Sequence, residues 1–432
     1  MLGKLRQSFA SNVLLKVTSL NSIAVFIQII GGLITSKLIA IYLGERGMAL
    51  LGYLRNFLTS TQAVGSLGYT NGIVKYVASK EEDHLFRRLI STAIISSVFI
   101  SVVLAIILYV GSDFWNDYIF DGEEGYSFVF KSLAVAIPFI TINGILMAVI
   151  NGQSAYKKVI WIQIATNLMA IAIAVYFIIN FGIEGALQAL IISPAIALLI
   201  TLFIIGKESA ILKKITFNFS SQAFKKLSSY TIMALFSMVV LPLVYIAIRN
   251  KIVEVDNLTQ AGYWDAMSRI SDYYLKFVAT VMTLYILPQL AKTNSIQGFR
   301  KEIFTFYKTI LPIFGIGLVI IFLARNFIIQ LLFTQDFLPM ENLFKWQLLG
   351  DFFKVASIVI GYQIIAKNNL KLFLITEIIS LLVIYLSGMY FVNHYGYEGA
   401  SISHCLSYFV HLLVLLFIFR KPLFGKITEA RA

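Results

Sequence analysis

Cysteine is almost absent. Cys405 is the single one in 432 residues, which excludes a disulfide framework, a cysteine-based zinc site and a dithiol redox motif. Charge is also scarce: Asp, Glu, Lys and Arg make up 13% of the chain, against about a quarter in soluble proteins. Histidine occurs four times, without a His–Glu metal motif, and neither a Walker loop nor a nucleophile elbow is present. No cofactor, no metal ion, no catalytic residue and no ATP-driven pumping by this chain alone is expected on that pattern. Seven prolines and 27 glycines are too few for collagen-like or low-complexity sequence.

What is abundant is hydrocarbon. Hydrophobic residues make up 59% of the chain and the mean hydropathy is +0.82. A soluble chain of this length still needs a charged skin. Twelve membrane helices of about 21 residues would occupy roughly 58% of the sequence, close to the hydrophobic share. The expectation is an all-α integral membrane protein with 12 transmembrane helices. Spans fall near residues 17–42, 48–78, 89–110, 127–150, 159–180 and 185–206, then 229–249, 260–290, 304–324, 342–366, 372–393 and 398–419. The apolar runs are long and continuous, which favours helices over barrel strands.

The net charge of +13 would suggest nucleic acid in a soluble protein. Here the basic residues alternate between loops. Lys4, Arg6 and Lys16, then Lys75, Lys80, Arg87 and Arg88, Lys157 and Lys158, Lys207 to Lys226, Lys367 and Lys371, and Arg420 to Arg431 fall on one side. The opposite side holds Arg46, Arg249, Lys251 and Arg325, and its loop from Asp113 to Glu124 is purely acidic. By the positive-inside rule both termini are cytoplasmic. The charge is thus read as a topology signal with attraction to anionic membrane lipids, and no nucleic-acid partner is expected.

The chain also repeats itself. At an offset of 214, Tyr176-Phe177 and Gly182-Ile183-Glu184-Gly185-Ala186 lie on Tyr390-Phe391 and Gly396-Tyr397-Glu398-Gly399-Ala400, Phe130-Lys131 lies on Phe344-Lys345, and Arg55 lies on Arg269. Two six-helix lobes follow, residues 1–206 and 227–432, joined by a basic cytoplasmic linker at 207–226. Six is even, so the repeats are parallel, about an axis along the membrane normal.

Charges inside the spans are the functional signal, because a charge facing lipid is costly. In the eighth span Asp265, Arg269, Asp272 and Lys276 recur at i, i+4, i+7 and i+11, a stripe along one helix face. Arg55, Thr59, Gln62 and Ser66 repeat that spacing in the second span. Arg55, Arg269 and Asp272 are read as cavity residues, with ion pairing between helices as the competing reading; Lys276 is balanced between the two. Asp351 and Lys354 form an i, i+3 pair in the tenth span that can neutralise itself. Lys131 and Lys345 can snorkel to the headgroups, and Glu377 and Lys37 are read as structural. His404 and His411 lack a carboxylate nearby in sequence and are read as packing or interhelical hydrogen bonding. Pro138, Pro194, Pro242, Pro288 and Pro312 interrupt spans as kinks or hinges.

Several segments resemble a known family. Asn71-Gly72-x-x-Lys75-Tyr76-Val77-Ala78 closes the second span, and Ile270-Ser271-Asp272-x-Tyr274-Leu275 lies in the eighth, followed by Leu287-Pro288. The tenth carries Leu343-Phe344-x-Trp346-Gln347-Leu348-x-Gly350-Asp351-x-x-Lys354-Val355, then Gly361-Tyr362-x-x-Ile365-Ala366-Lys367. These resemble the Wzx-type O-antigen translocases, most closely the lipid III flippases of enterobacterial common antigen synthesis. The resemblance spans essentially the whole chain. It implies the multidrug/oligosaccharidyl-lipid/polysaccharide exporter fold, with helices in a V shape, in the bacterial inner membrane. It further implies transfer of undecaprenyl-pyrophosphate-linked oligosaccharide to the periplasmic leaflet, as a step of lipopolysaccharide or related polysaccharide biosynthesis. The polymerase and chain-length machinery of the same pathway would be partners. Arg55 matches the family's basic position in the second span and Asp272 its acidic position in the eighth; Arg269 stands where a small polar residue is expected.

On this basis Arg55, Arg269, Lys276 and Lys354 are expected to hold the pyrophosphate in a cationic central cavity. Thr59, Gln62, Asp272 and Asp351 would meet sugar hydroxyls or tune the cations, and the lobes would alternate in access. Two rivals remain. A cation-coupled multidrug exporter of the same superfamily would want an acidic cavity. An integral-membrane polysaccharide polymerase or ligase would need a catalytic group on a substantial outer loop, and the outer loops are short.

Overall fold

The computed structural model describes residues 13–78, 83–120, 125–153, 155–206, 218–282, 286, 289–290, 295–367 and 369–425. Lys80, the linker lysines Lys207, Lys213 and Lys214, the acidic residues from Asp121 to Glu124, and Pro288 and Lys292 lie outside the described residues. Among the described residues the fold is all-helical, without strands. The helices are α1 (Val13–Tyr42), α2 (Gly44–Gly65), α3 (Thr70–Ala78), α4 (Asp83–Val110), α5 (Ser112–Phe120), α6 (Ser127–Gly152) and α7 (Tyr156–Ile205). There follow α8 (Ser221–Leu235), a π-helical turn (Phe236–Val240), α9 (Leu241–Val255), α10 (Leu258–Val281), α11 (Ile296–Leu323) and α12 (Arg325–Leu332). After a 3₁₀ turn (Gln335–Met340) come α13 (Glu341–Ala366), α14 (Leu370–Tyr395), α15 (Glu398–Ile418) and α16 (Arg420–Phe424).

Eight helices among the described residues are long and apolar enough to cross a bilayer. One of them, Lys157–Ile205, has 49 residues and at 1.5 Å per residue would reach about 74 Å, twice the thickness of a bilayer. It breaks at Gly182 (φ 57°, ψ −133°), so two spans are written as one helix. The helices of the second and eighth expected spans are not among them, their sequence carrying polar stripes, and the seventh is divided by the π-helical turn into helices of 15 residues. Conversely α11 is almost pure hydrocarbon outward: Ile313, Ile316, Val319 and Leu323 are all exposed, which only lipid makes favourable.

Helix starts recur at an offset of 213 or 214. α6 and α13 begin at Ser127 and Glu341, α7 and α14 at Tyr156 and Leu370, α4 and α11 at Asp83 and Ile296, and the short outer helices α5 and α12 at Ser112 and Arg325. The glycine motif has a physical reason. Gly182 and Gly396 both adopt φ 57°, a left-handed turn open mainly to glycine. Three residues on, a Cβ at Gly185 would collide with the Phe177 carbonyl, and one at Gly399 with the Phe391 carbonyl. The chain turns so tightly over the preceding helix that only hydrogen fits.

Two differences from the sequence reading stand out. The apolar run near 48–78 is not one helix: Leu67 (φ 51°) and Gly68 (φ 63°) are left-handed, and Gly68 N–H caps back to Ala63 at 3.0 Å, separating α2 from α3. Prolines do not mark these left-handed breaks: Pro138 and Pro312 ride inside continuous helices, while Pro242 follows the π-helical turn Phe236–Val240.

The chain divides into two compact units, Met1–Leu43 with Leu50–Leu243, and Gly44–Ala49 with Val244–Ala432. In the first, α8 packs against α3 and α4, and Ser220 N–H donates to Thr92 Oγ1 at 2.9 Å. Ile73, Val77, Ile90, Val149, Ile162 and Leu227 form its buried cluster. In the second, α13 packs against α11 and α15 around Phe299, Phe306, Val355, Val359, Ile360 and Leu415. Arg300 donates to the Pro422 and Gly425 carbonyls at 3.0 and 2.6 Å, tying α16 to the start of α11.

Gly396 gives the fold a test. A Cβ there would meet the Asp256 carboxylate at 2.5 Å, whereas nothing lies within 4 Å of one at Gly182. Gly396→Ala should cost about 1–3 kcal/mol from the strained dihedral alone, plus the displaced Asp256 contact. The expected outcome is a larger fall in detergent melting temperature for Gly396→Ala than for Gly182→Ala.

Candidate functional site

The polar stripe of α2 is real as a surface. Arg55, Thr59, Gln62 and Ser66 are each half-buried, while Tyr53, Leu54, Phe57, Leu58 and Thr61 on the flanking faces are buried. Thr59 turns its hydroxyl back onto the Arg55 carbonyl at 2.9 Å, leaving Arg55 and Gln62 as the side chains of the stripe with most reach.

The stripe of α10 divides in two. At its start Asp265 is buried between two arginines. Arg249 of α9, placed in an outer loop on the sequence alone, is itself buried and donates from Nη2 to Asp265 Oδ1 at 3.0 Å. Arg269 Nε lies 3.7 Å from Asp265 Oδ2, with 13% of its side chain exposed. Arg249 also stands 5.4 Å from the Trp264 ring centre. Two guanidinium groups thus approach one carboxylate. An isolated carboxylate here would be prohibitively expensive, and the arginines make its burial possible.

Further along, the stripe opens. Asp272 is exposed and Lys276 half-buried. Both line a cleft of about 470 Å³ in the second unit together with Leu275, Met282, Lys354, Ile358 and Tyr362. Two ammonium groups face one carboxylate across walls that are otherwise apolar. A cleft of that size and charge suits an anionic group, and its largely apolar walls strengthen the attraction to the lysines. Lys276 additionally lies 5.8 Å from the Tyr273 ring centre, and Lys354 5.0 Å from that of Tyr408.

Asp351 does not turn to Lys354 as its main partner. It is fully buried and accepts hydrogen bonds from Ser271 Oγ at 2.7 Å, Tyr274 Oη at 2.5 Å and His404 Nε2 at 2.9 Å. Gln347 Nε2 donates to Ser271 at 3.2 Å, and Tyr408 packs edge-on against the His404 ring at 4.8 Å. His404 was read as lacking a carboxylate; folding supplies one from a helix 53 residues away. His411 instead pairs with Ser380. Gly350 makes room for the arrangement, since a Cβ there would stand 2.5 Å from the His404 ring.

Of the candidates read from the sequence, the structure brings Asp272, Lys276 and Lys354 to one cleft; Arg249, Ser271, Gln347 and His404, which surround Asp265 and Asp351, were not among those candidates. Of the cations and carboxylates it placed elsewhere, Lys131 and Lys345 are exposed, Lys37 and Glu377 half-buried. Among the described residues no group of three His, Cys, Asp or Glu side chains is arranged to hold a metal ion.

Comparison with known proteins fits this architecture. Residues 14–294 match the family described as polysaccharide biosynthesis protein. The chain belongs to that family. Within reach of the polysaccharide biosynthesis proteins, the lipid III flippase of Escherichia coli (strain K12) is 26% identical over 409 residues, covering 94% of this chain and 98% of that protein. Among solved structures, the lipid II flippase MurJ in an inward closed conformation superposes with a TM-score of 0.75 at 21% identity, over 93% of this chain and 87% of that one. An inward-facing multidrug resistance MATE family transporter of the MOP superfamily gives 0.76 at 12% identity, over 94% of each. Those two likenesses establish the exporter-superfamily fold. This family member is a multi-pass membrane protein, and its relatives are flippases and transporters rather than catalysts.

The ion group at Asp265 makes a measurable demand. Breaking a buried pair by removing one partner costs about 3–5 kcal/mol, so Arg249→Met should lower thermal stability in detergent far more than Lys251→Met. Lys251 pairs with the exposed Glu254 at 2.8 Å, and such exposed pairs contribute about 0–1 kcal/mol.

Proposed function

We propose that this protein is a flippase that moves undecaprenyl-pyrophosphate-linked oligosaccharide from the cytoplasmic to the periplasmic leaflet of the bacterial inner membrane, with both termini cytoplasmic. The observation that carries the reading is the cleft of α10 and α13, where Lys276 and Lys354 outnumber Asp272 between apolar walls. The near-complete alignment with a protein named lipid III flippase supports the choice of substrate class.

The hard part of flipping is carrying a charged pyrophosphate and its sugars through hydrocarbon; the polyprenyl tail can stay in lipid. Cations in a low-polarity cleft replace the water that the diphosphate gives up. Lys276 and Lys354 meet the phosphates as point charges. In the first unit, Arg55 offers a planar fork that suits bidentate contact with phosphate oxygens, with Gln62 and Thr59 on the same α2 stripe for sugar hydroxyls. Asp272 accepts from sugar hydroxyls or restrains Lys276. Arg269, held against Asp265, adds a guanidinium on the same helix. Access to this cationic cavity alternates between the two membrane faces, as the exporter fold allows.

The multidrug-exporter reading fits less well, because a cationic drug would be repelled by two lysines against one carboxylate. A polymerase or ligase would require a catalytic constellation that neither cleft residues nor relatives supply.

The test is flipping of a fluorescent lipid-linked oligosaccharide in proteoliposomes. Charge-assisted hydrogen bonds to phosphate contribute about 1.5–3 kcal/mol each, so Lys276→Ala with Lys354→Ala should reduce initial rates more than tenfold, and Arg55→Ala by about tenfold. Lys345→Ala, an exposed lysine over the Trp346 ring, should leave rates unchanged. Wild-type turnover in the double lysine variant would remove the cleft from the mechanism.

A further inference from the structure

The duplication supplies an internal control for the buried Asp351 cluster. At the offset of 214, Asp351 corresponds to Ile137, Gln347 to Leu133, Lys354 to Ile140, Ser271 to Phe57, His404 to Leu190 and Gly350 to Ala136. Ile137, Leu133, Ile140 and Phe57 are buried in the first unit, where hydrocarbon fills these same positions. The fold therefore has no need of a carboxylate and an imidazole at these positions. Burying them costs desolvation that the apolar version avoids, and the second unit even gives up the Ala136-like Cβ at Gly350 so that His404 can reach Asp351. A buried ionisable pair kept in one repeat and dispensed with in the other points to a task besides packing.

That task has a geometry. Lys354 lines the anion cleft while its ammonium lies over the ring of Tyr408, which packs on His404. With Asp351 ionised and His404 neutral, the pair carries one negative charge that draws on the field of Lys354. One added proton, taken up by the other ring nitrogen of His404 while Nε2–H stays on Asp351, brings the pair to neutral and leaves the Lys354 charge to the cleft. A metal cation is a poor alternative occupant: Ser271, Tyr274 and His404 already donate to Asp351, and Lys354 stands one turn away.

We propose that the Asp351–His404 pair is a proton-binding site whose occupancy sets how strongly the neighbouring cleft holds a pyrophosphate diester. This rests on the cleft assignment made above. The other titratable groups facing the pair or the Tyr408 bridge are Asp272 and Tyr274 of α10, Tyr245 of α9, Cys405 of α15 and Glu377 of α14. None of the carboxylates among them is bonded to the imidazole. Because linkage is reciprocal, the bound anion must in turn raise the proton affinity of the pair. Affinity for the diester then falls as pH rises through the range in which the proton leaves.

The experiment is titration calorimetry of the purified full chain with a short-chain polyprenyl-pyrophosphoryl-N-acetylglucosamine, a diester without a titrating proton near neutrality. Runs in buffers of different ionisation enthalpy report protons exchanged on binding. The expected result is net proton uptake by the wild type and an affinity at least about fivefold higher at pH 6 than at pH 8. Both should vanish in Asp351→Asn, which can still accept from Ser271 and Tyr274. His404→Gln carries the same expectation should that variant not fold, with monodisperse gel filtration as the check. A role confined to holding three helices together would change stability in these variants and leave no proton exchange to abolish. Binding without proton uptake, or uptake that persists in both variants, overturns this inference and leaves the cleft standing. A sodium-dependent affinity in place of a pH-dependent one overturns it as well. Absence of any binding by the wild type overturns both.

Discussion

A charge in a membrane-spanning helix has to be held by something other than water, and that requirement organises the second unit. Asp265 is possible because Arg249 and Arg269 close on it. Asp351 is possible because a serine, a tyrosine and a histidine donate to it. Lys276 and Lys354, by contrast, border an open cleft. The same sequence property, charge within a span, thus has two physical resolutions. Internal neutralisation fixes helices to one another, and exposure to a polar opening creates a place for a ligand of opposite charge.

Duplication makes the division visible. The two repeats share helix ends, the left-handed glycines at 182 and 396, and the close approaches at 185 and 399. These features belong to the backbone. What differs is the filling of the interior: Ile137, Leu133 and Phe57 in the first unit, Asp351, Gln347 and Ser271 in the second. Hydrocarbon packing is the cheaper solution to burying three helices together, so the polar version is the one that calls for a functional explanation.

Some of the site was legible because it is local. Asp265, Arg269, Asp272 and Lys276 share a helix face by spacing alone, as do Arg55, Thr59, Gln62 and Ser66, and helical periodicity guarantees such stripes. Which members of a stripe are sealed and which are open was not legible, because that depends on the partner helix. Arg269 was weighed as an anion ligand before Arg249 and Asp265 could be seen to share it. The break at Leu67 and Gly68 was similarly hidden in a run of apolar residues, since a left-handed leucine leaves no mark in composition.

By itself the amino-acid order determined the membrane class, the two-fold repetition and the glycine positions. Each follows from a property carried along the chain: apolar length against bilayer thickness, recurrence at a fixed offset, or a residue without a Cβ where none fits. The tertiary structure alone decided that His404 meets Asp351, that Arg249 is buried on Asp265 and that Lys276 and Lys354 share a cleft. Those contacts join helices separated by tens of residues, and no periodicity within one helix can specify which face of another it will meet.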